Sequence, residues 1–429
     1  MGKISLNKIT KSGGRVEYDF TVSDDIKHLF TDEGFIIDYP ECIENVPDAV
    51  LAVPFVSSAI LIAWMTDSEL TVNELDKDFY DCLPKVKAGF EDMYANAGFF
   101  GKLTVDNIIS CKPEVQNASA VFFSGGLDAT TTLIRHIDEI PYLISLWGAD
   151  VDYYNEDGWK VVEKGLQNTA NVNGLNLLCV RTKFRIFDDA EALTAEFKPQ
   201  LKTTWWYAVK HGIGVISHAA PLAWLYGIKN HYIASSKSVD DNGAPCASEP
   251  RIDNNITFCG SNVFHDAFEM NRQKKASFLC EFHRHNPEFP IVLRVCWKSD
   301  DGGNCCQCEK CFRTMANFWV EGEDPKEFGF NYPDDVFKRM YQFMALRCTS
   351  LSANSWTYMK DGLNKNWDLL KDKPYRKKLE WIRNFDFYNL DNNECRRKYQ
   401  HTWKYKTLIT KAFPHLYNLY IRLRGYKYE

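Results

Sequence analysis

This sequence has no excess of positive charge: 51 Lys and Arg face 57 Asp and Glu, a formal net charge of −6. A general nucleic-acid binder carries a basic excess, so that class is not favoured for the whole chain. The first residues, MGKISLNKITKSGGRVEYDF, lack the apolar core of a signal peptide. Leu6 stands where a myristoylation signal needs Ser or Thr. A cytoplasmic, reducing setting is therefore expected. No internal repeat or low-complexity tract is visible. Long apolar runs are almost absent too. The one at Ala49 to Met65 falls short of the roughly 20 residues of a bilayer span. It contains Pro54 and two serines, with no Lys or Arg close by. It reads as buried strands or a core helix, and no membrane partner is expected.

What is present is a large apolar fraction. Of 429 residues, 45% are hydrophobic and 25% charged. That length exceeds one ordinary core and suggests two or three domains. Residues 1–115 begin with strand-like alternation at Val16, Tyr18 and Phe20, and turn helical near residues 76–100. They read as an α+β unit suited to packing or to binding a protein partner. Residues 116–325 alternate short apolar runs with helix-length stretches. The runs are Ala118 to Phe123, Tyr142 to Trp147, Leu175 to Val180 and His231 to Ala234. Such a rhythm predicts a doubly wound, parallel α/β sheet, which binds ligands at the carboxyl ends of its strands. Residues 326–429 read as helical and rich in aromatics. From Lys371 onward 15 Lys and Arg face 6 Asp and Glu. With Trp403, Tyr405, Phe413, Tyr417 and Tyr420 interleaved, that tail is a candidate contact for RNA or an acidic protein, against the simpler reading of a solvated helical face.

Two motifs carry chemistry. The first is VFFSGGLDATTT, residues 121–132. A strand ending at Phe123 meets Ser124, Gly125, Gly126, Leu127 and Asp128, and a helix follows. Glycines let backbone N–H groups approach phosphates, and the helix N-terminus adds donors and partial positive charge. Ser124 and Thr130 offer hydroxyls, and Asp128 offers a carboxylate for Mg²⁺. A plain strand-to-helix turn with an Asp cap is the simpler alternative.

The second motif places Cys296, Cys305, Cys308 and Cys311 in the spacing Cys-x8-Cys-x2-Cys-x2-Cys, with Gly302 and Gly303 allowing a tight return. Four thiolates satisfy tetrahedral Zn²⁺ and leave no open position, although thiolates alone also suit an iron–sulfur cluster. Cys306 is the odd one out, and replaces Cys305 if the loop shifts. The remaining nine of 14 cysteines read as small buried hydrophobes.

The first motif resembles the SGGxDS signature of the PP-loop ATP pyrophosphatase superfamily, with Ala129 in place of the last serine. The pair of motifs, across residues 116–320, resembles the 7-cyano-7-deazaguanine synthase (QueC) family. That resemblance implies a PP-loop (HUP-like) fold and a structural zinc. It also implies an ATP-dependent carbon–nitrogen ligase that adenylates a carboxylate, releases pyrophosphate, and passes the acyl group to an amine or ammonia. Some such relatives act in anti-phage defence operons. Phe123, Ser124, Gly125, Gly126, Leu127, Asp128 and Thr130 are then expected to hold ATP. Asp128 and Ser124 are the catalytic candidates. Arg272, Lys274 and Lys275 are candidates for neutralising phosphate charge, and Trp147 and Asp150 for lining the adenosine pocket. Arg181 and Lys183 are weaker candidates there. His218 reads as a satisfied core histidine ahead of a substrate contact. Ser235 to Asp241 falls where such enzymes place a substrate loop, without a clear match to the family motif. Two rivals stand beside this reading: an RNA-thiolating enzyme of the same superfamily, and a nucleotide-binding sensor or scaffold without turnover.

Overall fold

In a computed structural model of the chain, residues 2–241, 243–296, 298, 302–348 and 351–401 are described. The aromatic residues of the basic tail, Trp403 to Tyr420, lie outside them. The strands are β1 (Lys3–Ser12), β2 (Arg15–Val22), β3 (Phe35–Asp38), β4 (Glu69–Asp76), β5 (Lys102–Ile109), β6 (Ala118–Phe122), β7 (Tyr142–Trp147), β8 (Leu177–Thr182), β9 (Ile228–Ala234), β10 (Thr257–Phe258) and β11 (Ser261–Asp266). The helices are α1 (Asp48–Met65), α2 (Lys77–Met93), α3 (Leu127–Arg135), α4 (Glu156–Val172), α5 (Ala190–Leu201), α6 (His211–Ile216), α7 (Ala220–Tyr226), α8 (Pro250–Asp253), α9 (Arg272–His285), α10 (Glu309–Val320), α11 (Val336–Met340), α12 (Ala353–Lys365) and α13 (Arg376–Arg383).

All eleven strands join one sheet, in the order β10-β11-β9-β6-β7-β8-β3-β2-β1-β4-β5. Five neighbours, β11-β9-β6-β7-β8, run parallel. The apolar runs of β6 and β7, in the middle of the five, are buried almost without interruption, as strands covered on both faces must be. With β6 counted first, their order is 3-2-1-4-5, which is compatible with a Rossmann-like domain. The connection direction reverses between β6 and β9. Ligands of doubly wound sheets bind at the carboxyl ends of strands at that reversal.

The other strands extend the same sheet. β3 pairs antiparallel with β8 through Ile37–Thr182 and Asp38–Arg181. β1, β2 and β3 form an antiparallel meander, and β4 and β5 add parallel to β1. Residues 1–115 thus share one unit with the parallel strands. By internal packing, one unit is Met1–Cys305 with Asp324–Phe330; the other is Cys306–Glu323 with Asn331–Glu429. In the second unit, α10 to α13 bury Trp319, Trp356 and Leu363. Trp356 stacks on Phe387 and its Nε1 donates to Glu309 at 2.8 Å.

The apolar run at 49–65 forms α1, a helix apolar on every side. It alone among the described residues is long and apolar enough to cross a membrane, yet 89% of it is buried inside the protein. It packs on β1, β4 and β5 and against α6 and α7. A helix hydrophobic all round belongs either in a bilayer or in a large core.

Two histidines lie in this core with no access to water. His218 donates through Nδ1 to the Gly214 carbonyl at 2.7 Å, and its Nε2 accepts from Thr182 Oγ1 at 2.9 Å. His231 lies between the rings of Phe122 and Phe258. Burial pushes both imidazoles down from 6.5 to about 3. The unfolded chain binds these protons at a higher pH than the folded one. Stability is therefore full above about pH 6.5 and falls as pH drops from there toward 3. At pH 5 each histidine should cost about 2 kcal/mol of stability. Urea unfolding at several pH values should show His231→Leu removing roughly half of this pH slope; an unchanged slope would contradict the assignment.

Candidate functional site

The loop after β6 sits at the sheet reversal. Phe123 is buried and its N–H donates to the Ile144 carbonyl at 2.8 Å, continuing the ladder to β7. The chain then turns at Gly125, whose φ of +73° favours glycine. Gly126 is the N-cap of α3, with no side chain to cover the first N–H groups. Ser124 is exposed at the turn, whereas Thr130 is buried. Leu127 and Ala129 point into the core: Ala129 joins Val121, Phe123, Leu133, Leu143 and Trp159. A serine at 129 would put its hydroxyl into that apolar cluster.

Asp128, in the first turn of α3, meets two cations from α9. Its Oδ2 accepts from Arg272 Nη1 at 2.9 Å, and its Oδ1 accepts from Lys275 Nζ at 3.2 Å. Lys275 is 1% exposed. Its ammonium also donates to the Ser235 carbonyl, just past the end of β9. One buried lysine therefore joins the loops after β6 and β9, the two strands that flank the reversal. Helix spacing explains the pairing, because positions i and i+3 share a face. Lys274 falls off that face and is exposed; its backbone N–H is capped by Asn271 at 3.0 Å. Of the three expected phosphate cations, the structure brings Arg272 and Lys275 to Asp128 and leaves Lys274 outside. In the loop from Ser235 to Asp241, Ser235 Oγ donates to the Lys237 carbonyl and Asp241 caps the Ser238 N–H.

The expected adenosine-side residues are arranged differently. The Trp147 ring lies parallel to Trp159 at 5.5 Å and under the Arg181 guanidinium at 3.8 Å. With Tyr39, Glu163 and Arg181 these tryptophans line a cleft of about 420 Å³ that no residue of 123–130 lines. Lys183 pairs with Glu33 at 2.8 Å. Asp150, past the end of β7, is exposed.

The cysteine motif closes on itself. One sulfur from each of Cys296, Cys305, Cys308 and Cys311 lies within 4.8 Å of the others. Thiolates at about 2.3 Å around a tetrahedral zinc stand roughly 3.8 Å apart, so the set fits that ion. Three of the four are buried. Cys308 caps α10, its sulfur accepting the Cys311 N–H at 3.5 Å. Gly302 has φ +76°, and a Cβ there would come within 2.5 Å of the Gly158 carbonyl, so the return needs glycine. Cys306, also buried, stands outside the set with φ +52°. Of the other cysteines, Cys42 is exposed, Cys179 and Cys395 are half-buried, and the remaining six are buried.

Two residues without an expected role organise this region. Asn304 Oδ1 accepts the N–H groups of Val295 and Cys296 at 2.9 and 3.3 Å, while its Nδ2 donates to the Leu293 carbonyl at 2.8 Å. One amide thereby fixes Cys296 beside the turn that carries Cys305. Arg294 ties this segment to the glycine turn: its N–H donates to the Gly125 carbonyl at 2.7 Å and its Nε to the Gly302 carbonyl at 3.0 Å. Burial lowers the pKa of its guanidinium. An Asn following a Gly-Gly pair was the sequence sign of the first; nothing local signals the second.

No family model, curated protein or solved structure matches the chain. The geometry therefore stands by itself: a glycine turn at a helix N-terminus, two cations and a carboxylate beside it, and a closed cysteine set tied to that turn. Purified protein should carry about one zinc per chain, and Cys308→Ser should lose it. Elemental analysis reads this directly; iron with a brown colour would overturn the zinc assignment.

Proposed function

We propose that this protein is a QueC-like, ATP-dependent carbon–nitrogen ligase of the PP-loop kind. The observation that carries the reading is the meeting of Asp128, Arg272 and Lys275 beside the Gly125–Gly126 turn at the sheet reversal. Such a site gathers positive charge, helix N–H groups and one carboxylate where a nucleoside triphosphate would lie.

The chemistry needs charge neutralisation and positioning more than covalent help. A substrate carboxylate oxygen attacks the α-phosphorus of ATP. The α–β anhydride bond breaks, pyrophosphate leaves and an acyl-adenylate forms. An amine or ammonia then attacks the acyl carbon; AMP leaves with the former carboxylate oxygen and an amide remains. A second adenylation, on the amide oxygen, followed by loss of AMP and a proton, gives a nitrile. Arg272 and Lys275 would draw charge from the departing pyrophosphate. The turn donates backbone N–H groups to the same oxygens, and exposed Ser124 offers a hydroxyl. Asp128 holds both cations in place, and its carboxylate is the candidate ligand of Mg²⁺, which supplies further neutralisation. The zinc has a structural part: with no open position it would brace the segment whose Arg294 contacts Gly125. The substrate class is a small carboxylate, with a 7-deazaguanine acid as the first choice from the family resemblance.

Pyrophosphate release measured with 7-carboxy-7-deazaguanine and ammonia tests this. Lys275→Met and Asp128→Asn should each lower the rate by about 100-fold or more, the usual scale for losing one preorganised charge partner. Undiminished release from both would sink the assignment.

A further inference from the structure

The sheet ends on one side at β5, and this edge is built differently from the other. β10, at the opposite edge, is only two residues long. β5 spans eight residues, Lys102 to Ile109, and follows Phe100, which is 74% exposed. Long flat edges invite pairing with another chain, and single-chain proteins blunt them with charge, proline or bulges. Here β5 has no proline, keeps one constant register with β4, and carries two charges of opposite sign, Lys102 and Asp106, which repel a like edge less than charges of one sign would.

The direction of its free backbone groups follows from one bond. The Lys102 N–H donates to the Ser68 carbonyl at 3.0 Å, so Lys102 faces inward toward β4. Backbone groups alternate along a strand. Leu103, Val105 and Asn107 therefore turn their N–H and C=O groups outward, to an edge without a strand neighbour among the described residues.

A second copy running antiparallel can meet these groups about a two-fold axis perpendicular to the sheet. That symmetry requires opposed residues to share a face. Centring the axis on Thr104 satisfies it. Leu103 then opposes Val105 of the second copy and exchanges both main-chain bonds with it. Thr104 opposes Thr104. Lys102 opposes Asp106, twice by symmetry. Centring on Asp106 instead would place two aspartates face to face. Centring on Val105 would set Lys102 against Ile108. Of these three, only the Thr104 register puts opposite charges together, and such cross-strand pairs stabilise a ladder.

We infer that β5 is a homodimer edge, paired antiparallel about Thr104 so that one sheet runs through two copies of this chain. This does not depend on the proposed enzymatic reading. The Lys102 side chain now lies 3.2 Å from Glu69 and is 57% exposed, so turning toward the opposing Asp106 would exchange one exposed ion pair for another.

Light scattering after size-exclusion chromatography, across a range of protein concentration, tests the proposal on the full chain. The wild-type protein should reach twice the 49.6 kDa chain mass. Asp106→Lys sets lysine against lysine at both symmetry-related pairs and should weaken association by about tenfold or more. The exchange Lys102→Asp with Asp106→Lys should restore it. Circular dichroism on each variant confirms that the fold is kept. A monomer at every concentration, a dimer indifferent to Asp106→Lys, or an exchange variant that associates no better than Asp106→Lys would each overturn the proposal.

Discussion

A single buried ammonium holds the candidate site together. Lys275 is closed off from water, and its charge is met by the Asp128 carboxylate and the Ser235 carbonyl. A buried cation must be paired, because desolvation without a partner costs several kcal/mol. Meeting that demand brings three segments to one place: the first turn of α3, the first turn of α9 and the loop after β9. Arg272 joins the same carboxylate from the same helix face. The reversal between β6 and β9 then becomes an assembled, electropositive corner beside the glycine turn.

The metal-type motif supports this corner through the backbone. Arg294 bonds to Gly125, and Asn304 fixes the cysteine segment that follows Arg294. A zinc held by these four thiolates would have no open position for substrate, so its contribution would be rigidity. Loops bonded to the glycine turn in this way would suit the proposed site, where a triphosphate is to be held still while one bond breaks.

Much of this was legible in the residues. Four apolar runs marked β6 to β9, most clearly β6 and β7, because strands buried on both faces read as continuous hydrophobic stretches. SGG before a helix marked the turn, and the CxxC spacing marked the cysteine set, since both depend on local geometry alone. Arg272 and Lys275 could be separated from Lys274 by helix spacing once α9 was placed. What escaped depends on distant packing. Nothing local says that β3 joins β8, which merges residues 1–115 into the same sheet. Trp147 was expected beside adenosine from its position at a strand end; the partners of its ring, a second tryptophan on α4 and an arginine on β8, have no local signal. Ala129 looked like a lost phosphate contact; its burial among Phe123, Leu133 and Trp159 gives it a packing role.

Under the proposed function, a carboxylate oxygen attacks the α-phosphorus of ATP at this corner. An acid substrate labelled with ¹⁸O in its carboxylate, turned over once with ATP and ammonia, tests this most directly. Mass spectrometry of the AMP should find one labelled oxygen transferred per acyl group activated. Unlabelled AMP, or ADP and phosphate as products, would contradict the account.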